Sequence, residues 1–187
     1  MSVPPPPEPR RASPWALWVP LILFAGFLAL VIHGLTRPGS SEVESAMVGK
    51  PLPAFALEPA VADRPGLATS DLKQGKPRLL NIFASWCIPC AIEAPQLESL
   101  RKQGVAIDGI AIRDRREDVE AFLARNGNPF ARIGKDDVSA VQLAIGSSGV
   151  PESFVIDGGG VIRYQHIGVI RGEDLPLIRG KLEEAAQ

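Results

Sequence analysis

The sequence predicts an α/β domain built on one mixed sheet flanked by helices, carried behind a single N-terminal transmembrane helix. Three observations predict it. Trp15–Ile32 is apolar throughout and holds no charged residue, which is long enough to span a bilayer. Beyond Gly49 the runs follow the order strand, helix, strand, helix, hairpin, helix, a pattern that packs as α/β layers. The only two cysteines among the 187 residues, Cys87 and Cys90, stand where an apolar, strand-like run passes into a helical one.

From the N-terminus, residues 1–14 read as a Pro-rich leader, since Pro4 to Pro7 and Pro9 cannot build a helix. Residues 15–35 form the anchor, with Pro20 and Gly26 tolerable inside a membrane helix and Trp15 and Trp18 suited to its interface. No convincing cleavage site follows the run, which favours an uncleaved anchor over a signal peptide. Arg10 and Arg11 precede the span and only Arg37 closely follows it, so the positive-inside rule leaves the leader in the cytoplasm. In a bacterium the inner membrane then carries a domain facing the periplasm. Residues 36–48, with Pro38-Gly39-Ser40-Ser41, read as a tether, and residues 49–187 as the domain. With 20 Lys and Arg against 21 Asp and Glu there is no basic excess, so nucleic acid is not an expected partner.

Within the domain, Pro51–Leu57 suits a sheet margin, where proline is tolerated, and Leu67–Asp71 is its short partner. Arg78–Phe83 is nearly all apolar, as a central strand covered on both faces must be. Ile88–Gln103 has helical spacing at Ile92, Leu97 and Leu100, with Pro95 inside it, and stops at Gly104. Val105–Ile112 is a second buried strand. Arg115–Arg125 is an amphipathic helix with Val119, Phe122 and Leu123 on one face, ended by Asn126-Gly127-Asn128-Pro129. Asp136 caps a short helix through Ile145, and Gly146–Gly149 is a turn. Ser153–Ile156 and Val161–Ile167 make an antiparallel hairpin about Asp157-Gly158-Gly159-Gly160, and Glu173–Ala185 is the last helix.

The position of the cysteines carries the chemistry. A thiol attacks only as thiolate, and the unpaired N–H groups of a helix N-terminus stabilise that anion. Cys87 is the expected nucleophile, and Cys90, one turn on, the thiol that resolves the mixed disulfide. Pro89 costs nothing in a first turn whose N–H groups lack partners, and Trp86 is an apolar wall beside Cys87. A zinc site would need ligands that the chain lacks, its two histidines being His33 in the apolar run and His166. A structural disulfide across so short a loop constrains little of the unfolded chain. A Cu(I) site on the two thiolates is the rival from another class, argued against mildly by the absence of methionine near the pair.

With these elements placed, the chain resembles the thioredoxin-fold proteins, and more closely the membrane-anchored thiol-disulfide interchange proteins of cytochrome c maturation, the CcmG/DsbE type, with their TlpA and ResA relatives. The resemblance rests on Gly49–Phe55, Asn81–Cys90, Glu93-Ala94-Pro95, Gly127-Asn128-Pro129-Phe130 and Gly149–Asp157, spread over essentially the whole domain. It implies that Pro151 is a cis-proline facing the active site, and that the Val150 carbonyl and N–H pair with an extended substrate strand. It also implies that Glu93 and Glu152 tune the thiols, against the plainer reading of each as a solvated carboxylate. The implied partners are apocytochrome c or the thiol protein that handles it, and a membrane electron-donor thiol transporter. No cofactor and no metal is required. The resemblance departs at Ile112 and Ser148, where aromatics often stand in that branch, which bears on the substrate. His166 reads as a structural or surface histidine, and Arg113–Asp118 as a solvated loop and helix start. A TlpA-like reductase for a respiratory oxidase copper-site protein, a disulfide donor, and the Cu(I) module are the alternatives.

Overall fold

The computed structural model of the protein describes residues 14–36 and 46–187. They fall in two units, divided between Val43 and Glu44, and each is taken by itself. The expected leader, up to residue 13, and the tether from 37 to 45 lie outside the described residues. The first unit contributes one helix, α1 (Pro14–Thr36), 23 residues with Pro20 inside it. It has no Asp, Glu, Lys or Arg, and from Leu21 to Ile32 its leucines, isoleucines and phenylalanines are exposed. No helix among the described residues is long and apolar enough to cross a membrane; the side chains of α1 are described without a break only from Trp18 to Gly34.

The second unit runs β1 (Ala56–Leu57), β2 (Leu67–Ala68), β3 (Arg78–Phe83), α2 (Ile88–Lys102), β4 (Ile107–Ile112), α3 (Arg116–Asn126), β5 (Ile133–Asp136), α4 (Ala140–Ala144), β6 (Glu152–Ile156), β7 (Ile162–Ile167) and α5 (Leu175–Glu184). The main sheet has five strands in the order β5-β4-β3-β6-β7, with β3, β4 and β5 parallel and β6 and β7 antiparallel to their neighbours. The mixed sheet, its central strand and the hairpin are as the sequence predicts. Leu79, Leu80, Ile82 and Phe83 of β3 are fully buried, so apolar side chains fill both faces of this strand.

Five readings need correction. β5 is not visible in the sequence, because Ile133-Gly134-Lys135-Asp136 has neither alternation nor β-branched runs. It becomes a strand through tertiary pairing: Gly109 opposes Ile133 across β4, and Ala60 N–H donates to the Ile133 carbonyl at 3.0 Å. The expected partner strand over Leu67–Asp71 shrinks to two residues and turns into a 3-10 segment at Thr69–Leu72. Ile92 is not on the buried face of α2, being 61% exposed; the buried stripe is Cys90, Glu93, Ala94, Leu97 and Leu100. Asp136 caps α4 from the end of β5, four residues ahead, by accepting the Ala140 and Gln142 N–H groups at 2.9 Å each. The last helix begins at Leu175, after a 3-10 turn over Gly172–Asp174.

The segment ahead of β3 protects both edges of the sheet. Gly49 and Leu52 donate to the carbonyls of Ile162 and Gly160 beside β7, while Lys135 of β5 donates to the Glu58 carbonyl. Met47 already packs against the core. The parallel strands β3, β4 and β5 end together at one edge of the domain, and β6 starts at that edge, with Ile82 opposite Glu152.

Candidate active site

β3 ends at Phe83, and the chain needs only four residues to reach α2. Cys87 N–H donates to the Ala84 carbonyl at 3.2 Å, and Cys87, in an extended conformation, becomes the N-cap of α2. Its sulfur accepts the Cys90 N–H at 3.1 Å. The Cys87 sulfur thus stands at the N-terminus of α2, a position whose N–H donors favour negative charge. Pro89, in the first turn, removes one N–H that would otherwise go unpaired. Cys87 and Cys90 form a disulfide, and both are buried. Trp86 is 57% exposed, and its Nε1–H donates to the Arg113 carbonyl at 3.3 Å, so the indole lies along the rim beside the pair.

The loop before the cysteines is fixed by a residue that the sequence reading took for part of a solvated cluster. Asp114 is buried; one carboxylate oxygen accepts the Ser85 N–H and the other accepts the Ser85 hydroxyl at 2.7 Å. The signal was available in the topology. Phe83 pairs with Ala111 across the parallel strands, so the residues just beyond each strand end must meet.

Beneath the pair, Glu93 is 1% exposed and is not a solvated carboxylate. Its Oε1 accepts from Asn81 Nδ2 at 2.9 Å and its Oε2 from the Ile170 N–H at 3.1 Å. Burial pushes its carboxyl up to about 7, against the lowering effect of those two hydrogen bonds. Asn81 also donates to Ser153 Oγ at 2.9 Å, tying α2, β3 and β6 into one polar network. Asn81 is the single polar side chain within the buried run of β3, which is the sequence signal for its role. Cys90 and Glu93 line one small cavity of about 10 Å³ with Asn81, Phe83 and Phe130, no larger than a single water molecule.

Just ahead of β6, which starts beside the end of β3, the Val150–Pro151 peptide bond is cis. Val150 N–H and carbonyl make no hydrogen bond among the described residues, whereas the Pro151 carbonyl accepts from Gly168 N–H at 3.0 Å. Glu152 is buried, and its bonds go to the loop and to β7 rather than to the cysteines. Oε1 accepts the Ser148 N–H, the Ser148 hydroxyl and the Gly149 N–H at 2.8 to 3.1 Å, and Oε2 accepts Gln165 Nε2 at 2.7 Å. The buried Ser147 hydroxyl donates to the Gly149 carbonyl at 3.1 Å and holds the same turn. His166 lies within 3.3 Å of the Val169 carbonyl and 3.9 Å of Asp174, in a structural setting. Among the described residues no group of three or more His, Cys, Asp or Glu is placed to hold a metal ion.

A disulfide between two residues of a strand-to-helix junction, one of them the helix N-cap, is a group that can exchange with other thiols and disulfides. Comparison with known proteins agrees. The family described as Redoxin matches residues 47–182. The chain is 38% identical over 169 residues to the thiol:disulfide interchange protein HelX of Rhodobacter capsulatus, covering 88% of this chain and 96% of that one. It is 38% identical over 182 residues to the thiol:disulfide interchange protein DsbE of Escherichia coli, covering 91% and 97%. A crystal structure assigned as a DsbE from Chlorobium tepidum superposes with a TM-score of 0.60 at 27% identity, over 75% of this chain and 98% of that one. The chain therefore belongs to the redoxin family and, within it, to the DsbE/HelX-type thiol:disulfide interchange proteins, thioredoxin-fold thiol-disulfide oxidoreductases.

Proposed function

We propose that the protein is a membrane-anchored dithiol reductant of the periplasmic face of the inner membrane, acting in cytochrome c maturation. The observation that carries this reading is the Cys87–Cys90 pair at the start of α2, with the buried Glu93 directly behind it. The Cys87 thiolate attacks a sulfur of the partner's disulfide. One S–S bond forms, the partner's other sulfur leaves as a thiolate and is protonated. Cys90, losing its proton, then attacks Cys87, and the partner's second thiol is released. The partner has gained two electrons and two protons, and the pair is left as a disulfide that a membrane electron-donor thiol transporter must reduce. Apocytochrome c, or the thiol protein that handles it, is the proposed substrate. The anchor is assigned from the sequence: Trp15–Ile32 is apolar and uncharged throughout, and its 18 residues, as a helix at about 1.5 Å each, would measure about 27 Å, close to a bilayer core.

Val150 offers its free backbone groups to the substrate strand, Pro151 faces the pair, and Glu152 holds the loop that presents them. A Cys90→Ser variant of the full chain, expressed in its own membranes, is expected to accumulate a mixed disulfide through Cys87 with its partner. A trapped haem-maturation protein supports the assignment. A trapped copper-site protein of a respiratory oxidase moves it to the TlpA-like alternative.

Glu93 acts as a pH-dependent opponent of the thiolate. Below about pH 7 its carboxyl is mainly neutral; above, its negative charge disfavours a second one nearby. In the reduced full chain, Glu93→Gln should leave Cys87 alkylation unchanged at pH 6 and raise it roughly two- to five-fold at pH 8. Superimposed curves across that range would remove Glu93 from the mechanism. Stability should move as well. With its carboxyl raised from 4.5 to about 7 in the fold, Glu93 adds stability that is complete below 4.5 and lost as pH rises through 7. Urea unfolding should show this slope, worth at most about 3 kcal/mol, in the wild type and not in Glu93→Gln.

A further inference from the structure

A cleft of about 520 Å³ opens beside the cysteine loop, between that loop, the end of β4 and the outer face of α3. It is lined by Ser85, Trp86, Arg113, Arg115, Asp118 and Arg125, with Asp114 and Ala121 completing the wall. Nothing in the exchange chemistry uses it. Its charges do not balance, and the imbalance is built in.

Both carboxylates of the cleft are already committed. Asp114 takes the Ser85 N–H and hydroxyl and the Arg115 N–H, and is buried. Asp118 takes the Arg115 guanidinium through two bonds, at 2.7 and 3.1 Å. Arg113 spends its Nε on the neutral Ser139 hydroxyl at 2.8 Å. Neither Arg113 nor Arg125 has a carboxylate within ion-pair distance among the described residues, although both are exposed. Asp118, Ala121 and Arg125 follow one another at helical spacing on α3, so Arg125 is presented along the same stripe. Arg113 has a backbone φ of +46°, uncommon for a side chain of its kind, and its carbonyl receives the Trp86 indole N–H. The cleft thus has as one wall Trp86, the residue that precedes Cys87, and whatever polypeptide places a disulfide on Cys87 passes its mouth.

We infer that this cleft is a specificity subsite for an acidic side chain, Asp or Glu, in the substrate segment flanking the disulfide, with Arg113 and Arg125 as its receiving charges. The inference rests on the reading of the protein as a reductant of polypeptide disulfides. Two guanidinium groups without carboxylate partners at the rim of a reaction site favour encounter with an opposite charge and repel a like one. Because the groups are exposed, the preference depends on ionic strength.

The test uses the reduced full chain in detergent and three synthetic peptides with an internal disulfide, identical except for Glu, Gln or Lys at the flanking positions. At low salt the Glu peptide should be reduced roughly five-fold faster than the Lys peptide, with the Gln peptide between them, and the ratio should approach one in 1 M salt. Arg125→Glu should bring the Glu-to-Lys ratio below one, and Arg125→Lys should keep it near the wild-type value. The ratio is taken within one preparation, so a general loss of activity cancels from it. Equal rates for all three peptides, or a ratio that Arg125→Glu does not change, would overturn the subsite while leaving the reductant reading standing. Failure to reduce any of the peptides would overturn the reductant reading and the subsite with it.

Discussion

Cys87→Ser should lower the rate of peptide disulfide reduction by at least about 10³-fold, while Cys90→Ser should preserve the first attack and stall after it. The asymmetry follows from position. Cys87 caps α2 and its sulfur receives the Cys90 N–H, so a negative charge there meets donors already in place. A serine hydroxyl at the same point stays protonated near neutrality and cannot form the mixed disulfide. Cys90 lies inside the first turn, against the Glu93 cavity, where it can reach Cys87 but not an incoming protein. Stopped-flow kinetics with the reduced full chain, followed by non-reducing gels, separates the two. The expected record is no adduct for Cys87→Ser and a persistent one-to-one adduct for Cys90→Ser. An adduct of equal yield from both variants would mean that either sulfur can act first and would contradict the assignment of roles.

Phe83→Ala should cost about 3 to 5 kcal/mol of stability, lowering Tm by roughly 10 to 20 °C. Phe83 ends the central strand, is fully buried, and stacks on Phe130 at 4.8 Å with Phe122 at 5.9 Å. The strand beside it is shaped to this ring: a Cβ at Gly109 would stand 2.9 Å from Phe83 Cε1 and 3.1 Å from Phe130 Cδ1. The space has no substitute occupant, so removal of the ring leaves a void rather than a collapse. That void would join the small cavity shared by Cys90 and Glu93. Burial is the largest cause of the raised Glu93 carboxyl, so its titration should move down toward the ordinary carboxylate range. Thermal unfolding of the oxidised chain gives the first number, and the pH dependence of Cys87 alkylation gives the second. A loss below about 1 kcal/mol would show that the aromatic stack does not carry this part of the core.

The parts of this molecule that were legible in its sequence are those with a strong local signal. β3 is apolar over both faces, α3 has a clear buried stripe, and Cys87 and Cys90 sit at a strand-to-helix junction; all three appear where expected. The parts that were not legible depend on partners remote in sequence. β5 has almost no strand character of its own and exists because β4 and the arm around Ala60 pair with it. Glu93 and a solvated glutamate look alike in sequence, and only the pairing of Asn81 and Ile170 with its two oxygens separates them. For Glu152 the resemblance implies a role in tuning the thiols, and the hydrogen bonds it makes to Ser148 and Gly149 are not visible in the sequence. Asp114 was hidden in a run of alternating charges whose other members do face solvent. For β5, Glu93 and Asp114 the missing information is a contact with residues remote in sequence, which local periodicity does not carry.

The central claim is that the Cys87–Cys90 pair donates electrons, and its equilibrium reduction potential tests that most directly. The measurement equilibrates the metal-free full chain in detergent against glutathione or dithiothreitol buffers and reads the fraction oxidised. The account predicts a value near the thioredoxin end of the scale, about −270 mV, as a dedicated reductant resupplied through the membrane requires. A value near about −120 mV would make the protein a donor of disulfides and contradict the functional assignment, with the fold unaffected.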